Sequence, residues 1–146
     1  MAATYNKFQD FSEQLIRGVH DWNTHVFKVV LTNTAPTTTQ ASLDTTTDHP
    51  PPIAVNGYTV GGSPTTISIS EIDGMTTVQG TQAVFTAAGG AIGPFRYVIL
   101  YNDTATSPAN ALIAWWDYGS AITLNNTETF TVQFNNASPG TIFTLA

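Results

Sequence analysis

Residues 93–118 read GPFRYVILYNDTATSPANALIAWWDY, and this stretch decides the fold class. Two runs of β-branched and aromatic side chains, Phe95 to Asn102 and Leu112 to Tyr118, are separated by residues that favour turns. Gly93-Pro94 precedes the first run, and Asn102-Asp103 closes it. Each run has the length of a strand and lacks the three-and-four spacing of a helix face.

The same grammar extends outward. Gly57 to Val60, Thr65 to Ile72, Thr77 to Ala87, Thr127 to Phe134 and Thr141 to Leu145 read as further strands. Gly61-Gly62, Asp73-Gly74, Gly89-Gly90, Gly119, Asn125-Asn126 and Pro139-Gly140 punctuate them. Thr127, Thr129 and Thr131 alternate with Glu128, Phe130 and Val132, so a polar row opposes a mostly apolar one. In VFKVVL, residues 26–31, Phe27, Val29 and Leu31 lie on one face and Val26, Lys28 and Val30 on the other. About one residue in six is threonine, which suits a pleated, half-exposed surface. The expected fold is mainly β, a β-sandwich or jelly-roll-like body over about 25–146, in a chain forming a single domain over 1–146.

One helical signal stands apart. Phe8, Phe11, Leu15, Val19 and Trp22 recur at steps of three and four, predicting an N-terminal amphipathic helix over about 6–20. Asn6 with Gln9 resembles a capping box, and Gly18 offers stop chemistry. The apolar stripe is read as core against the chain's own sheet. Phe8 and Phe11 are candidate protein-interface residues if they stand exposed.

Between the first strand and Asn56 lies a Thr/Pro-rich loop, 32–56, with the triplet Pro50-Pro51-Pro52. Imino acids exclude a helix or central strand there. Loops this long in compact domains are commonly functional, so Thr37, Thr38, Thr39, Thr45, Thr46 and Pro51 are candidate interface residues.

Composition excludes several functions. The chain has 146 residues, 4 Lys and Arg against 10 Asp and Glu, a net charge of -6 and no Cys. An acidic chain lacks the footprint of a nucleic-acid binder, and zero Cys removes thiol catalysis and thiolate metal sites. No apolar run approaches the roughly 20 residues of a membrane span, and no basic and apolar leader is legible in Met1 to Asp10. Neither nucleic acid nor membrane is expected as a partner.

Catalytic patterns are equally thin. No Ser lies in G-x-S-x-G or S-x-x-K. His20 and His25 are five apart, wrong for two ligands on one helical face, and read as structural. Asp44, Asp48 and His49 read as solvated loop charges rather than a cation site. Asp73, Asp103, Asp117 and Glu128 could supply a glycosidase pair only in a geometry the sequence does not specify. Gly89 to Gly93 lacks the Lys of a phosphate cradle and reads as a turn. No catalytic, cofactor or metal residue is assigned. Arg96 is expected to pair with Asp117 or Asp103 across strands. Trp115 and Trp116 must point to opposite faces; one belongs in a core, and the other lies under a loop or the N-terminal helix or, with Trp116 the candidate interface residue, contacts a partner.

Taken together, YNKFQDFSEQLIRGVHDW (5–22), FKVVLTNTAP (27–36), NGYTVGG (56–62), GGAIGPFRYVILYNDTAT (89–106) and LIAWWDYGSAITLNNTETFTVQF (112–134) resemble a family of small virion proteins of tailed bacteriophages and prophages. GPFRYVILYNDT and WWDYGS are the specific blocks, and the insert between FKVVLTNTAP and NGYTVGG departs from the pattern. The resemblance implies a non-enzymatic head decoration or cement protein. It would be made in the cytoplasm of an infected bacterium and located on the capsid surface. Its partners would be the major capsid protein and other copies of itself in a homo-oligomer. The alternative is a tail-associated or adhesion module binding host-surface carbohydrate, suggested by the Trp pair and the Thr/Asn-rich strands; a polysaccharide hydrolase ranks third.

Overall fold

The computed structural model describes residues 3–42 and 56–146. The protein is mainly β, built of several antiparallel sheets with one short helix. In chain order the elements are β1 (Asn6–Lys7), α1 (Phe11–Ile16), β2 (Phe27–Thr32), β3 (Ser63–Thr65), β4 (Ile67–Ile72), β5 (Met75–Gly80), β6 (Ala83–Thr86), β7 (Ile92–Thr106), β8 (Ala109–Leu124), β9 (Thr129–Val132) and β10 (Gly140–Leu145). The main sheet has the order β1-β8-β7-β2-β3; a second runs β10-β5-β4, and β6 pairs with β9. Among the described residues no helix is long and apolar enough to cross a membrane.

The quoted stretch forms the central hairpin. β7 and β8 are longer than expected because neither Asn102-Asp103 nor Tyr118 ends a strand. Asn102 is fully buried, and its side chain replaces the ladder partners that a turn residue would leave unmet. Its Oδ1 accepts the N–H groups of Thr104 (3.0 Å) and Ala105 (3.1 Å), and its Nδ2 faces Nδ1 of His20 (3.1 Å) and of His25 (2.9 Å).

Two hydrophobic clusters lie on opposite faces of the main sheet, following the pleat of β2. Phe27, Val29 and Leu31 belong to the larger cluster, with Val78 and Ile142 from the second sheet and Phe85 from the third pair. Val30 belongs to the smaller, with Phe8, Ile99, Tyr101 and Leu112. Lys28, on the same face as Val30, pairs with Asp103 at 2.8 Å.

The expected helix over 6–20 shrinks to Phe11–Ile16. Asn6 and Lys7 instead pair with Trp115 and Ala114, because the outer edge of β8 offers ladder groups that a helix could not satisfy. The Phe8 N–H then reaches Ile113 O (3.2 Å), the Leu112 N–H reaches Ala41 O (3.0 Å), and Ser42 bridges Ala111. The first residues and the start of the long loop thus cover this edge. The apolar stripe divides accordingly: Phe8 enters the smaller cluster, while Phe11, Leu15 and Trp22 serve the larger. Gly18 does end the helix, at φ +74, with the Val19 N–H bonded to Gln14 O at 3.0 Å.

Two further expectations change. Gly57 to Val60 is a turn rather than a strand, with Tyr58 buried, stacked on Phe85 at 5.8 Å and accepting the Leu31 N–H at 3.2 Å. Thr77 to Ala87 divides at Thr81-Gln82 into β5 and β6, which belong to different sheets. Asp73 and Gly74, at φ 52 and 81, make the expected two-residue hairpin between β4 and β5.

Candidate functional site

The interface candidates separate cleanly by burial. Phe8 and Phe11 are core residues, at 0% and 3% exposure, and form no exposed interface patch. Phe11 packs edge-on against Trp22 and Phe143, so its ring is satisfied within the chain. Thr37, Thr38 and Thr39 are exposed, on a turn fixed by the Gln9 N–H to Thr38 O (2.9 Å) and the Thr37 N–H to Gln40 Oε1 (3.0 Å). Thr45, Thr46 and Pro51, with Asp44, Asp48 and His49, lie outside the described residues. Trp116 is half-buried and lines a groove.

That groove has a volume of about 500 Å³. Its walls come from β8, β9, the N-terminal Tyr5 and the turn after Phe134, and they bring together five aromatic rings: Tyr5, Trp116, Tyr118, Phe130 and Phe134. Trp116 and Tyr118, two residues apart on β8, both line it. Ring contacts hold them in place. Tyr5 meets Trp116 edge-to-face at 5.9 Å, Trp116 meets Phe134 at 5.4 Å, and Tyr118 meets Phe130 edge-to-face at 5.9 Å. Burial pushes the Tyr5 phenol up to about 12, so it remains a neutral hydroxyl.

Tyr118 is 54% exposed and lies where β8 bulges. Phe95 pairs with Ile122 and Tyr97 with Asp117, so two steps along β7 match five along β8. Asp117 organises the bulge. Its carboxylate takes Arg96 Nε and Nη2 at 2.8 and 2.9 Å, while Oδ1 also accepts the Gly119 N–H at 2.8 Å. Gly119 has φ +99, a conformation that a side chain would strain. The Arg96 hydrogen bonds, followed by the Gly119 N–H, hold the Asp117 carboxyl below the usual carboxylate range. The expected Arg96 pair is therefore made with Asp117, and Asp103 goes to Lys28.

The opposite rim is a two-residue turn. Asn135 and Asn136 have φ 49 and 55, and the Ala137 N–H returns to Phe134 O at 3.1 Å. Both amides are exposed at the groove's mouth. Sequence reasoning singled out Trp116 and the AWWDY cluster but missed this rim. The available signal was the Asn-Asn dipeptide, which favours a left-handed turn.

Trp115 occupies the other face, beside the smaller cluster and 6.2 Å from Tyr97. The division of the Trp pair between faces is as expected, but both rings remain half-buried. On the larger-cluster face, His20 and His25 converge on Asn102, and the other His20 nitrogen, Nε2, donates to Gln14 Oε1 at 3.1 Å. Because Asn102 Nδ2 donates to both imidazoles, each Nδ1 must be an unprotonated acceptor. These histidines lock the segment after α1 onto β7.

No protein-family model matches the chain, and no curated protein or solved structure matches it either.

Proposed function

We propose that this chain is a non-enzymatic structural protein of a tailed-bacteriophage virion: a head decoration, or cement, protein on a jelly-roll-like β-sandwich body. It binds the major capsid protein, bridges neighbouring capsomers together with further copies of itself, and resides on the capsid surface. The reading starts from the resemblance of residues 89–106 and 112–134, which carry β7, most of β8 and β9.

The observation that supports it is the unpaired edge of β4. In the order β10-β5-β4 this strand ends the sheet, and its N–H and C=O groups on that side have no described strand beside them. On β4 and the turn into β5, Ile69, Ile72 and Met75 are exposed, at 49%, 69% and 46%. An open edge with apolar side chains is a ready template for pairing with another chain. The outer edge of β8, by contrast, is covered by β1 and Ser42. The exposed turn Thr37–Thr39 lies beside that covered edge and supplies a second, polar contact surface. Two surfaces let one small protein bridge two subunits, and bridging multiplies weak contacts through effective concentration.

The test is reconstruction of purified particles by electron microscopy, with protein mass spectrometry of the same preparation. Many copies on the shell, with β4 at a subunit contact, support the reading. Density confined to the tail, or a protein abundant in host cytosol and missing from particles, overturns it.

A further inference from the structure

We propose that the groove between Trp116 and the Asn135-Asn136 turn binds a neutral oligosaccharide. This goes beyond the capsid reading and does not depend on it.

Three properties of the groove specify the ligand. The first is ring geometry. Trp116 and Tyr118 both line it, and each is braced by another ring, Tyr5 or Phe130. Flat aromatic faces carry negative charge density and attract the weakly positive C–H groups of a pyranose face. Bracing in the free protein means that little side-chain freedom is lost on binding.

The second is charge. Among the residues lining the groove there is no Lys, Arg, His, Asp or Glu, although the chain carries 14 such acids and bases other than His. An anionic or cationic ligand would leave water without a counter-charge. Asp117, between Trp116 and Tyr118 in the chain, is already committed to Arg96 and to the Gly119 N–H.

The third is hydrogen bonding. Asn135 and Asn136 place side-chain amides at the rim, with Thr131 alongside. An amide both donates and accepts, matching a sugar hydroxyl, which does the same. An acyl chain would use the rings and leave these groups unpaired, whereas a sugar uses both. A volume of about 500 Å³ falls in the range of sites for small organic ligands.

The experiment is a titration of the purified full chain, read by tryptophan fluorescence, with hexasaccharides of α-1,4-glucose, β-1,4-glucose, mannose and N-acetylglucosamine. At least one should saturate with a Kd between about 10 µM and 1 mM. Trp116→Ala should weaken that binding by about tenfold or more, and Tyr118→Ser by about threefold or more. Tyr118 is exposed enough for its replacement to leave the fold intact, so it decides the matter if Trp116→Ala fails to fold. Failure of all four probes to saturate by about 10 mM overturns the proposal. So does equal binding by wild type and Tyr118→Ser, or saturation only by a uronate oligomer or a fatty acid.

Discussion

Arg96 and Asp117 meet fork to fork across the β7–β8 ladder, Nε to Oδ1 at 2.8 Å and Nη2 to Oδ2 at 2.9 Å. Such a half-buried pair near the surface contributes little to stability by itself. This one acts through geometry, because the same carboxylate holds the Gly119 N–H and thereby the bulge that presents Tyr118.

Asp117→Ala should therefore leave the unfolding midpoint nearly unchanged and weaken the winning hexasaccharide by about threefold or more. Asp117→Asn keeps an acceptor for the Gly119 N–H and should lie closer to wild type. Since Arg96 holds Asp117 below the usual carboxylate range, its contribution persists as the pH falls and is lost only below that range. Titrations at pH 7 and pH 5 should give the same Kd; a marked loss at pH 5 would remove Asp117 from this role.

The His20–Asn102–His25 arrangement predicts acid sensitivity. Burial, and secondarily His25, pushes the His20 imidazole down to about 4 from its ordinary 6.5. Between those values the unfolded chain binds a proton that the folded chain refuses, so stability falls as pH drops from about 6.5 to about 4 and then levels. The shift corresponds to at most about 3 kcal/mol. Urea unfolding at pH 7, 5.5 and 4 measures it, and His20→Gln should flatten the dependence. A wild-type midpoint that stays constant over this range would contradict the assignment.

Phe8 is wholly buried among Val30, Ile99, Tyr101 and Leu112. Phe8→Ala should cost about 3–5 kcal/mol in urea unfolding at pH 7. A loss below about 1 kcal/mol would mean that this face is less well packed than described.

Two glycines with the same backbone sign separate strain from crowding. Gly62 and Gly89 have φ +82 and +86; a Cβ at Gly62 would sit 1.9 Å from Val29 O, while at Gly89 nothing among the described residues lies within 4 Å. Gly89→Ala should cost about 1–2 kcal/mol, the left-handed penalty. Gly62→Ala should cost more, because strand β2 must move to admit the methyl group. Equal denaturant midpoints would contradict the close approach of Gly62 to β2.

Placing lysines at Ile69 and Ile72 tests the open edge. Both side chains are already exposed, so the unfolding midpoint should change by no more than about 1 kcal/mol. The charges should nonetheless repel an incoming strand and lower incorporation into particles several-fold. Incorporation at wild-type level would exclude β4 as the contact.

Local pattern was a reliable guide wherever one residue type admits one conformation. Asp73-Gly74 makes its hairpin, Gly18 stops its helix, and Phe27, Val29 and Leu31 share a face opposite Val30. The alternation of Thr129 and Thr131 with Phe130 and Val132 likewise survives, the threonines being exposed and the apolar pair half-buried. It was a poor guide where a neighbour supplied the missing hydrogen bond. Asn102 looks like a turn residue, but two histidines and two backbone N–H groups satisfy it inside β7. Asn6 looks like a helix cap, but the edge of β8 takes it as a strand.

Of the candidate site, Trp116 and Tyr118 were visible as an aromatic cluster, since they stand two residues apart in AWWDY. Their union with Tyr5, Phe130 and the Asn135-Asn136 turn was not, because those residues are far apart in the chain and meet only when β8, β9 and the first residues assemble. The sequence by itself determined the mainly β character, the hairpin turns, the acidic charge and the alternation of faces, all of which rest on short-range sterics and residue chemistry. Only the tertiary structure decided which edge is covered, which aromatic rings line a groove and which are core. Those outcomes depend on long-range pairing, and local preferences are the same whichever strand lies alongside.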